Sequence, residues 1–213
     1  MPIQGVLFDA VGTLMQLREP VGLTYASLTG GGDAQRLDAA FRAALRSRPP
    51  MVFPDLPRAA VDAAERRWWH ALVREVFATA GAALPAGGFD VLWQHYAGPA
   101  AWCAAPGATQ LLRRLRDHGR RVGLVSNFDH RLPAVLAALG LAPLLDVVVR
   151  PADAAAAKPD ARIFALALQR LGVTAADAVY VGDDAHDDIA GAGAAGLRVI
   201  DVTTVRDLRD LPL

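Results

Sequence analysis

The feature that most constrains the fold is a regular alternation of short apolar runs with amphipathic segments, concentrated in the second half of the chain. Each apolar run spans only a few residues and ends at polar residues or glycine, which is typical of a strand buried in a parallel sheet. The amphipathic segments end at glycine, as helices commonly do. Alternating strands and helices form βαβ units, so the sequence predicts an α/β fold, an open parallel sheet covered on both faces. Strands are predicted near residues 6–8, 121–127, 145–149, 179–181 and 197–202, and helices near 111–118, 132–139 and 161–171.

The stretch between the first strand and the alternating region has a different pattern. Residues 15–102 show helical periodicity and no convincing buried strand, with apolar faces at 33–48, around 61–76 and at 89–96. Proline and glycine separate these segments. The sequence therefore predicts an all-helical insertion over 15–102 in a core domain made of 1–14 and 103–213. Trp68, Trp69 and Trp93 are expected to fill the core of the insertion.

Composition excludes several classes of partner. The 213 residues contain 22 basic and 22 acidic side chains, so no excess of charge indicates binding to nucleic acid or to a membrane surface. No window has the apolar length of a membrane span, and the N-terminus enters a strand without the pattern of a signal peptide. A single cysteine, Cys103, cannot form an internal disulfide. These observations favour a cytoplasmic protein, and the oligomeric state is left open.

Polar side chains follow four of the predicted strands at the point where each strand ends. The carboxyl ends of parallel strands meet at one edge of the sheet, where ligands of open α/β folds bind. Side chains from distant parts of the chain should therefore come together there. They are Asp9 and Thr13 after the first strand, Ser126 and Asn127 after the second, Lys158 after the third, and Asp183, Asp184, Asp187 and Asp188 after the fourth.

The acidic run after the fourth strand is the sharpest chemical signal. Four carboxylates within six residues repel one another, and a hard divalent cation such as Mg²⁺ relieves that repulsion. Lys158, the only lysine in the chain, would balance the charge and bind an anionic substrate. Thr13, Ser126 and nearby backbone N–H groups would hold the other anionic oxygens, and Asn127 is a further candidate for substrate binding.

These residues, in this order, resemble the four motifs of the haloacid dehalogenase-like hydrolases. The helical insertion directly after the first motif is similar to the C1-type cap of that superfamily. The resemblance implies a Rossmann-like parallel-sheet core. It further implies that Asp9 is a nucleophile that forms an aspartyl-phosphate, with Thr13, Ser126 and Lys158 as catalytic partners. It also implies that Mg²⁺ is held by Asp9, the backbone carbonyl of Val11 and Asp183, with Asp188 or Asp187 close behind.

One position departs from the pattern of the phosphatases in this superfamily. They carry a second aspartate two residues after the nucleophile, which protonates the leaving group and then activates water. Val11 stands there and cannot donate a proton, and general acid–base help is typically worth about 10²–10⁴-fold in rate. Substitutes for the missing acid are His70 and His95 in the insertion, or His186 in the acidic run.

The missing aspartate keeps three interpretations open. The favoured one is a magnesium-dependent phosphatase acting on a small phosphorylated metabolite. A 2-haloacid dehalogenase would use Asp9 to displace halide without metal and Arg18 to bind a carboxylate, but it would have little use for the acidic run. A weakly active or non-catalytic binding protein would also keep the metal ligands and lose the acid. Phosphonate-cleaving relatives need a cap lysine, which this insertion lacks.

Overall fold

The computed structural model describes residues 3–213 and confirms the predicted α/β class. Five parallel strands form the main sheet, and the strand that carries Asp9 at its end lies in the middle of it. The predicted strand at 145–149 begins two residues late, because the Leu145 N–H donates back to Ala142 O and closes a 3₁₀ turn over Ala142–Leu144. In spatial order the strands are β5 (Val147–Val149), β4 (Arg121–Val125), β1 (Gly5–Phe8), β6 (Ala178–Gly182) and β7 (Arg198–Asp201).

Successive side chains of β1 point to opposite faces of the sheet, and each face has its own apolar core. Val6 and Phe8 pack on one face with the helix over Ala108–Asp117. Leu7 packs on the other face with Phe164 of the helix over Ala161–Leu171. Asp160 begins that second helix by accepting a hydrogen bond from the N–H of Arg162, as N-cap residues do.

Nine α-helices lie in the part of the chain that the structure describes. Four of them lie within the predicted insertion and share a separate apolar core, in which Tyr25 stacks on Phe77. Trp68, Trp69 and Trp93 are only partly buried and pack against the margin of that core instead of filling it. The helices are α1 (Val21–Thr29), α2 (Ala34–Ser47), α3 (Arg58–Ala80), α4 (Gly88–Ala97), α5 (Ala108–Asp117), α6 (Leu132–Ala138), α7 (Pro151–Ala154), α8 (Ala161–Leu171) and α9 (Gly191–Ala194).

Two elements at the start and end of the insertion differ from the sequence prediction. Strand β2 (Met15–Leu17) pairs antiparallel with β3 (Trp102–Ala104), so a short ribbon joins the two ends of the predicted insertion. Three-residue strands are too short to show the alternation of apolar and polar residues that identifies a strand in a sequence. The division into a core and a cap over 15–102 stays a prediction. Among residues 3–213, no helix has both the length and the apolar character needed to cross a membrane.

Candidate active site

Asp9 lies one residue beyond the end of β1, and the neighbouring strand fixes its backbone. Its N–H donates to the carbonyl oxygen of Val181 at 2.9 Å, and its side chain is buried. Lys158 Nζ lies 2.6 Å from Asp9 Oδ1 and 2.6 Å from Asp188 Oδ1. Three polar residues that follow three different strands are therefore in direct contact, as the topology of a parallel sheet leads us to expect.

The turn after Asp9 brings Thr13 against the acidic loop. Gly12 adopts a φ of 94°, and a Cβ atom built there would lie 2.3 Å from Asp183 Oδ2, so both its backbone conformation and the available space require glycine. Thr13 Oγ1 donates to Asp183 Oδ1 at 3.0 Å. The turn thus orients one carboxylate of the acidic run, and Val11 at its tip is 37% exposed.

Asp188 is the most fully hydrogen-bonded carboxylate of the site. Its Oδ1 accepts from Lys158 Nζ and from the Tyr180 hydroxyl at 2.7 Å, and its Oδ2 accepts the backbone N–H groups of Asp183 and Asp184, each at 3.1 Å. A Cβ atom at Gly182 would lie 2.5 Å from this carboxylate, so the approach needs glycine. Tyr180 is the residue that sequence reasoning missed, although a hydroxyl inside the apolar run of β6 is a signal that could have found it.

Asn127 connects two loops of the site. Its Oδ1 accepts the N–H of Lys158 at 2.8 Å, and its Nδ2 donates to the Lys158 carbonyl at 3.1 Å and to Asp187 Oδ2 at 3.0 Å. The side-chain amide therefore holds the backbone of Lys158 on both sides. Ser126, the preceding residue, is buried, and its N–H donates to Val149 O at 3.1 Å.

The other candidate side chains contact different parts of the molecule. His70 packs edge-on against Phe89, and His95 packs edge-on against Tyr96, both within the insertion. Arg18 Nε donates to the carbonyl of Pro99 at 3.3 Å. His186 remains in the acidic run, is largely exposed, and lies with its Nδ1 3.0 Å from a carboxylate oxygen of Asp187. A role for any of these groups in proton transfer stays a prediction.

The electrostatics of the site follow from burial and from charge balance. Burial raises the pKa of Asp9 to about 6; the Asp188 carboxylate adds to this effect, and Lys158 opposes it. Burial alone would lower the pKa of Lys158, but the Asp9 and Asp188 carboxylates together raise it. Burial also raises the pKa of Asp183. Three carboxylates face one ammonium group, so the fully ionised site carries an excess of negative charge.

This charge excess and the ligand chemistry fit a divalent cation. Asp9, Asp183 and Asp188 each bring one carboxylate oxygen into a group whose members lie within 4.8 Å of one another. Carboxylate oxygens are the ligands that Mg²⁺ prefers, usually as one or two per ion. The contribution of the Val11 carbonyl stays a prediction. A second group of ligand atoms within 4.8 Å of one another lies at Asp62, Glu65 and His130, where Glu65 is hydrogen-bonded to His130.

Comparison with known proteins agrees with the fold and identifies the family. The chain is 32% identical over 206 residues to the haloacid dehalogenase-like hydrolase domain-containing protein 3 of Danio rerio, covering 93% of this chain and 84% of that protein. A ribulose-1,5-bisphosphate 5-phosphatase of Halopiger xanaduensis is 35% identical over 112 residues, which are 52% of this chain and 46% of that protein.

A solved structure shows the same fold over nearly the whole chain. The L-2-haloacid dehalogenase RSc1362 superposes with a TM-score of 0.74 at 22% identity, covering 99% of this chain and 92% of that one. The family model described as haloacid dehalogenase-like hydrolase matches residues 3–196. The chain therefore belongs to the haloacid dehalogenase-like hydrolases.

Proposed function

We propose that this hydrolase is a magnesium-dependent phosphatase that acts on a small phosphorylated metabolite through an aspartyl-phosphate on Asp9. The observation that carries the proposal is the buried Asp9 carboxylate, bonded to Lys158 and grouped within 4.8 Å with the carboxylates of Asp183 and Asp188. Phosphoryl transfer needs positioning and neutralisation of charge more than covalent chemistry from the protein. A nucleophilic carboxylate beside an ammonium group and a cation site supplies both.

The contacts suggest a role for each side chain. Lys158 occupies Asp9 Oδ1, which leaves Oδ2 to attack phosphorus as the bond to the leaving oxygen breaks. Water then attacks the phosphorus of the aspartyl-phosphate, which releases inorganic phosphate and restores Asp9. Thr13 and Ser126 would donate to phosphoryl oxygens, and both side chains are buried at the site. Lys158 would hold its position against Asp9 through its second contact, with Asp188.

The cation would be bound by Asp9, Asp183 and the Val11 carbonyl, and when bound it would neutralise charge on the phosphoryl group. Asp188 fits a supporting role better than that of a direct ligand, since both of its oxygens already accept hydrogen bonds. Such supporting contacts orient the ligands of a metal site. Asp187 is held by Asn127 and would support the same loop.

Because Val11 cannot act as a general acid, it determines which phosphate esters the proposed enzyme should hydrolyse fastest. A leaving group that departs as a stable anion needs no proton, whereas an alkoxide leaving group does. The proposed enzyme should therefore favour phosphate esters with acidic leaving groups. The relative from Halopiger xanaduensis, similar over about half of this chain, is itself a phosphatase and agrees with a small anionic substrate.

A second candidate function is hydrolysis of a 2-haloacid. Val11 favours it, because displacement of halide from carbon by Asp9 needs no general acid. The group of three carboxylates weighs against it, because a metal-free reaction gains nothing from concentrating negative charge beside the nucleophile.

The experiment that separates these functions is release of p-nitrophenol from p-nitrophenyl phosphate, with Mg²⁺ and with EDTA, for the wild type and Asp9→Asn. Its leaving group needs little protonation, so Val11 does not limit the rate. Magnesium-dependent turnover that Asp9→Asn abolishes would support the phosphatase. Wild-type turnover no higher than that of Asp9→Asn would contradict the phosphatase. In that case, chloride release from 2-chloropropionate in EDTA would support the dehalogenase. Inactivity in both assays would favour a binding protein.

A further inference from the structure

A buried cation joins the loop after β4 to the inserted helices. The Arg131 guanidinium carbon lies 3.6 Å from the ring centre of Trp93 on α4, and Nη1 donates to the Trp93 carbonyl oxygen at 3.3 Å. Within its own loop, Arg131 donates from Nε to Asp129 Oδ1 at 2.9 Å and from Nη2 to Asp129 Oδ2 at 2.5 Å. Arg131 is 8% exposed and Asp129 is fully buried. An ion pair of the core is thus covered by an aromatic ring of the insertion.

His130, which lies between Asp129 and Arg131, makes a second contact with the insertion. Glu65 on α3 is 1% exposed, and its Oε2 accepts the backbone N–H of His130 at 2.9 Å and lies 2.7 Å from His130 Nδ1. Its other oxygen, Oε1, is buried and has no hydrogen-bond partner among the described residues. A buried carboxylate is costly unless it is paired. The contact with His130 therefore favours one placement of α3 on this loop. We call Asp129, His130 and Arg131 the clamp.

The clamp lies close to the site residues in the sequence. Asn127 lies two residues before Asp129, and its amide holds both the N–H and the carbonyl of Lys158. Lys158 in turn carries the ammonium group that contacts Asp9. Trp93 of the insertion is thus linked to the proposed nucleophile by contacts on both sides of the backbone of residues 127–129, which joins the clamp to Asn127.

We propose that Arg131 and Trp93 are positioning residues: docking of the inserted helices on the clamp fixes Asn127 and thereby holds Lys158 against Asp9. This inference rests on the proposed function for its effect on turnover, but its structural part does not depend on it. A cation under an aromatic ring gains most when both are removed from water, as Arg131 is here. The helices would then act on the reaction through the loop after β4.

The test is a pair of matched variants, Trp93→Ala and Trp68→Ala. Both tryptophans are partly buried and pack against the same core of the insertion. Trp68 instead donates from Nε1 to Pro49 O at 3.1 Å, lies under Arg48, and packs edge-on against Trp69, whereas the Arg131 guanidinium stacks on Trp93. Trp93→Ala leaves Arg131 paired with Asp129, whereas replacing Arg131 would leave a buried carboxylate unpaired and endanger the fold. Trp93→Phe keeps an aromatic face and serves as the rescue variant.

Two readouts separate the positioning role from the proposed function. The first is hydrogen exchange at the Lys158 amide without substrate, because that N–H is bonded to Asn127. We expect exchange about tenfold faster or more in Trp93→Ala, recovery in Trp93→Phe, and no change in Trp68→Ala. The second is turnover of p-nitrophenyl phosphate with Mg²⁺, where a small displacement far from the chemistry can cost on the order of 10²-fold. We expect Trp93→Ala to lower kcat tenfold or more and to change KM much less.

Unchanged exchange at Lys158 in Trp93→Ala, or equal acceleration in Trp68→Ala, would overturn the inference. If Trp93→Ala does not fold, Trp93→Leu against Trp68→Leu decides by the same exchange measurement, because leucine keeps apolar volume and removes the aromatic face over Arg131. If the wild type shows no phosphatase activity while exchange responds as expected, the proposed function fails and the positioning role of the clamp is supported. The two failures are therefore distinguishable.

Discussion

Replacing Val11 with aspartate should turn a phosphatase limited to acidic leaving groups into a general one. Val11 lies two residues after the nucleophile and is 37% exposed, so a carboxyl group there can reach solvent and a bound ester. A partly exposed valine contributes little burial, and we expect a loss of stability below about 1 kcal/mol. A positioned general acid is typically worth about 10²–10⁴-fold, which sets the expected gain in kcat/KM for an alkyl phosphate.

The assay compares two substrates in one enzyme. Alkyl phosphates such as glycerol phosphate depart as alkoxides and should show the full gain, whereas p-nitrophenyl phosphate should change less than about threefold because it needs no acid. Val11→Asn is the matched control, since it has the same shape as Val11→Asp and cannot donate a carboxyl proton. An equal effect of both variants, or no change for the alkyl phosphate in a folded Val11→Asp protein, would show that another group already supplies the proton.

Three other perturbations test the site. Lys158→Gln removes the ammonium group that contacts Asp9 and Asp188. We expect kcat to fall on the order of 10²–10³-fold, and a retained rate would refute the electrostatic role of the lysine. Tyr180→Phe removes the 2.7 Å hydrogen bond to Asp188 and should lower the free energy of unfolding by about 1–2 kcal/mol, measured in urea; an unchanged midpoint would contradict this. Burial raises the pKa of Asp9 to about 6, so below that pH the cation competes with a proton for the carboxylate. Calorimetry should therefore find Mg²⁺ bound about tenfold more weakly at pH 5 than at pH 7. Affinity independent of pH over that interval would contradict binding of the cation by an Asp9 carboxylate with this raised pKa.

The parallel sheet could be predicted because each strand is a short apolar run and each run ends at a marked boundary. The same logic brought Asp9, Lys158 and Asp188 together, since the topology of a parallel sheet places strand ends at one edge. Helix α1 was not predicted, because Leu23 and Leu28 are exposed while Thr24 and Tyr25 are buried, which obscures an apolar face.

Contacts between side chains were less predictable than elements. Substrate binding by Asn127 stays a prediction. The hydrogen bonds by which its amide joins two loops could not be foreseen, because they depend on the distance to Lys158 and not on residue type. Tyr180 was counted with an apolar strand because its ring is buried and only its hydroxyl is polar. The clamp was missed because Arg131 and Trp93 are brought together only when the inserted helices dock.

The β2–β3 ribbon has a consequence for how the chain folds. Central strand β1 must pair with β4, where Gly5 lies opposite Arg121, and the whole insertion separates the two strands in sequence. The conformational entropy of the chain opposes closure of such a long loop, although each doubling of loop length adds only about 0.6 kcal/mol. The ribbon pairs Leu17 with Trp102 and so brings the two ends of this loop together. Once the helices have collapsed and the ribbon has formed, β1 and β4 meet across a short connection, and assembly of the sheet can proceed as if the insertion were absent.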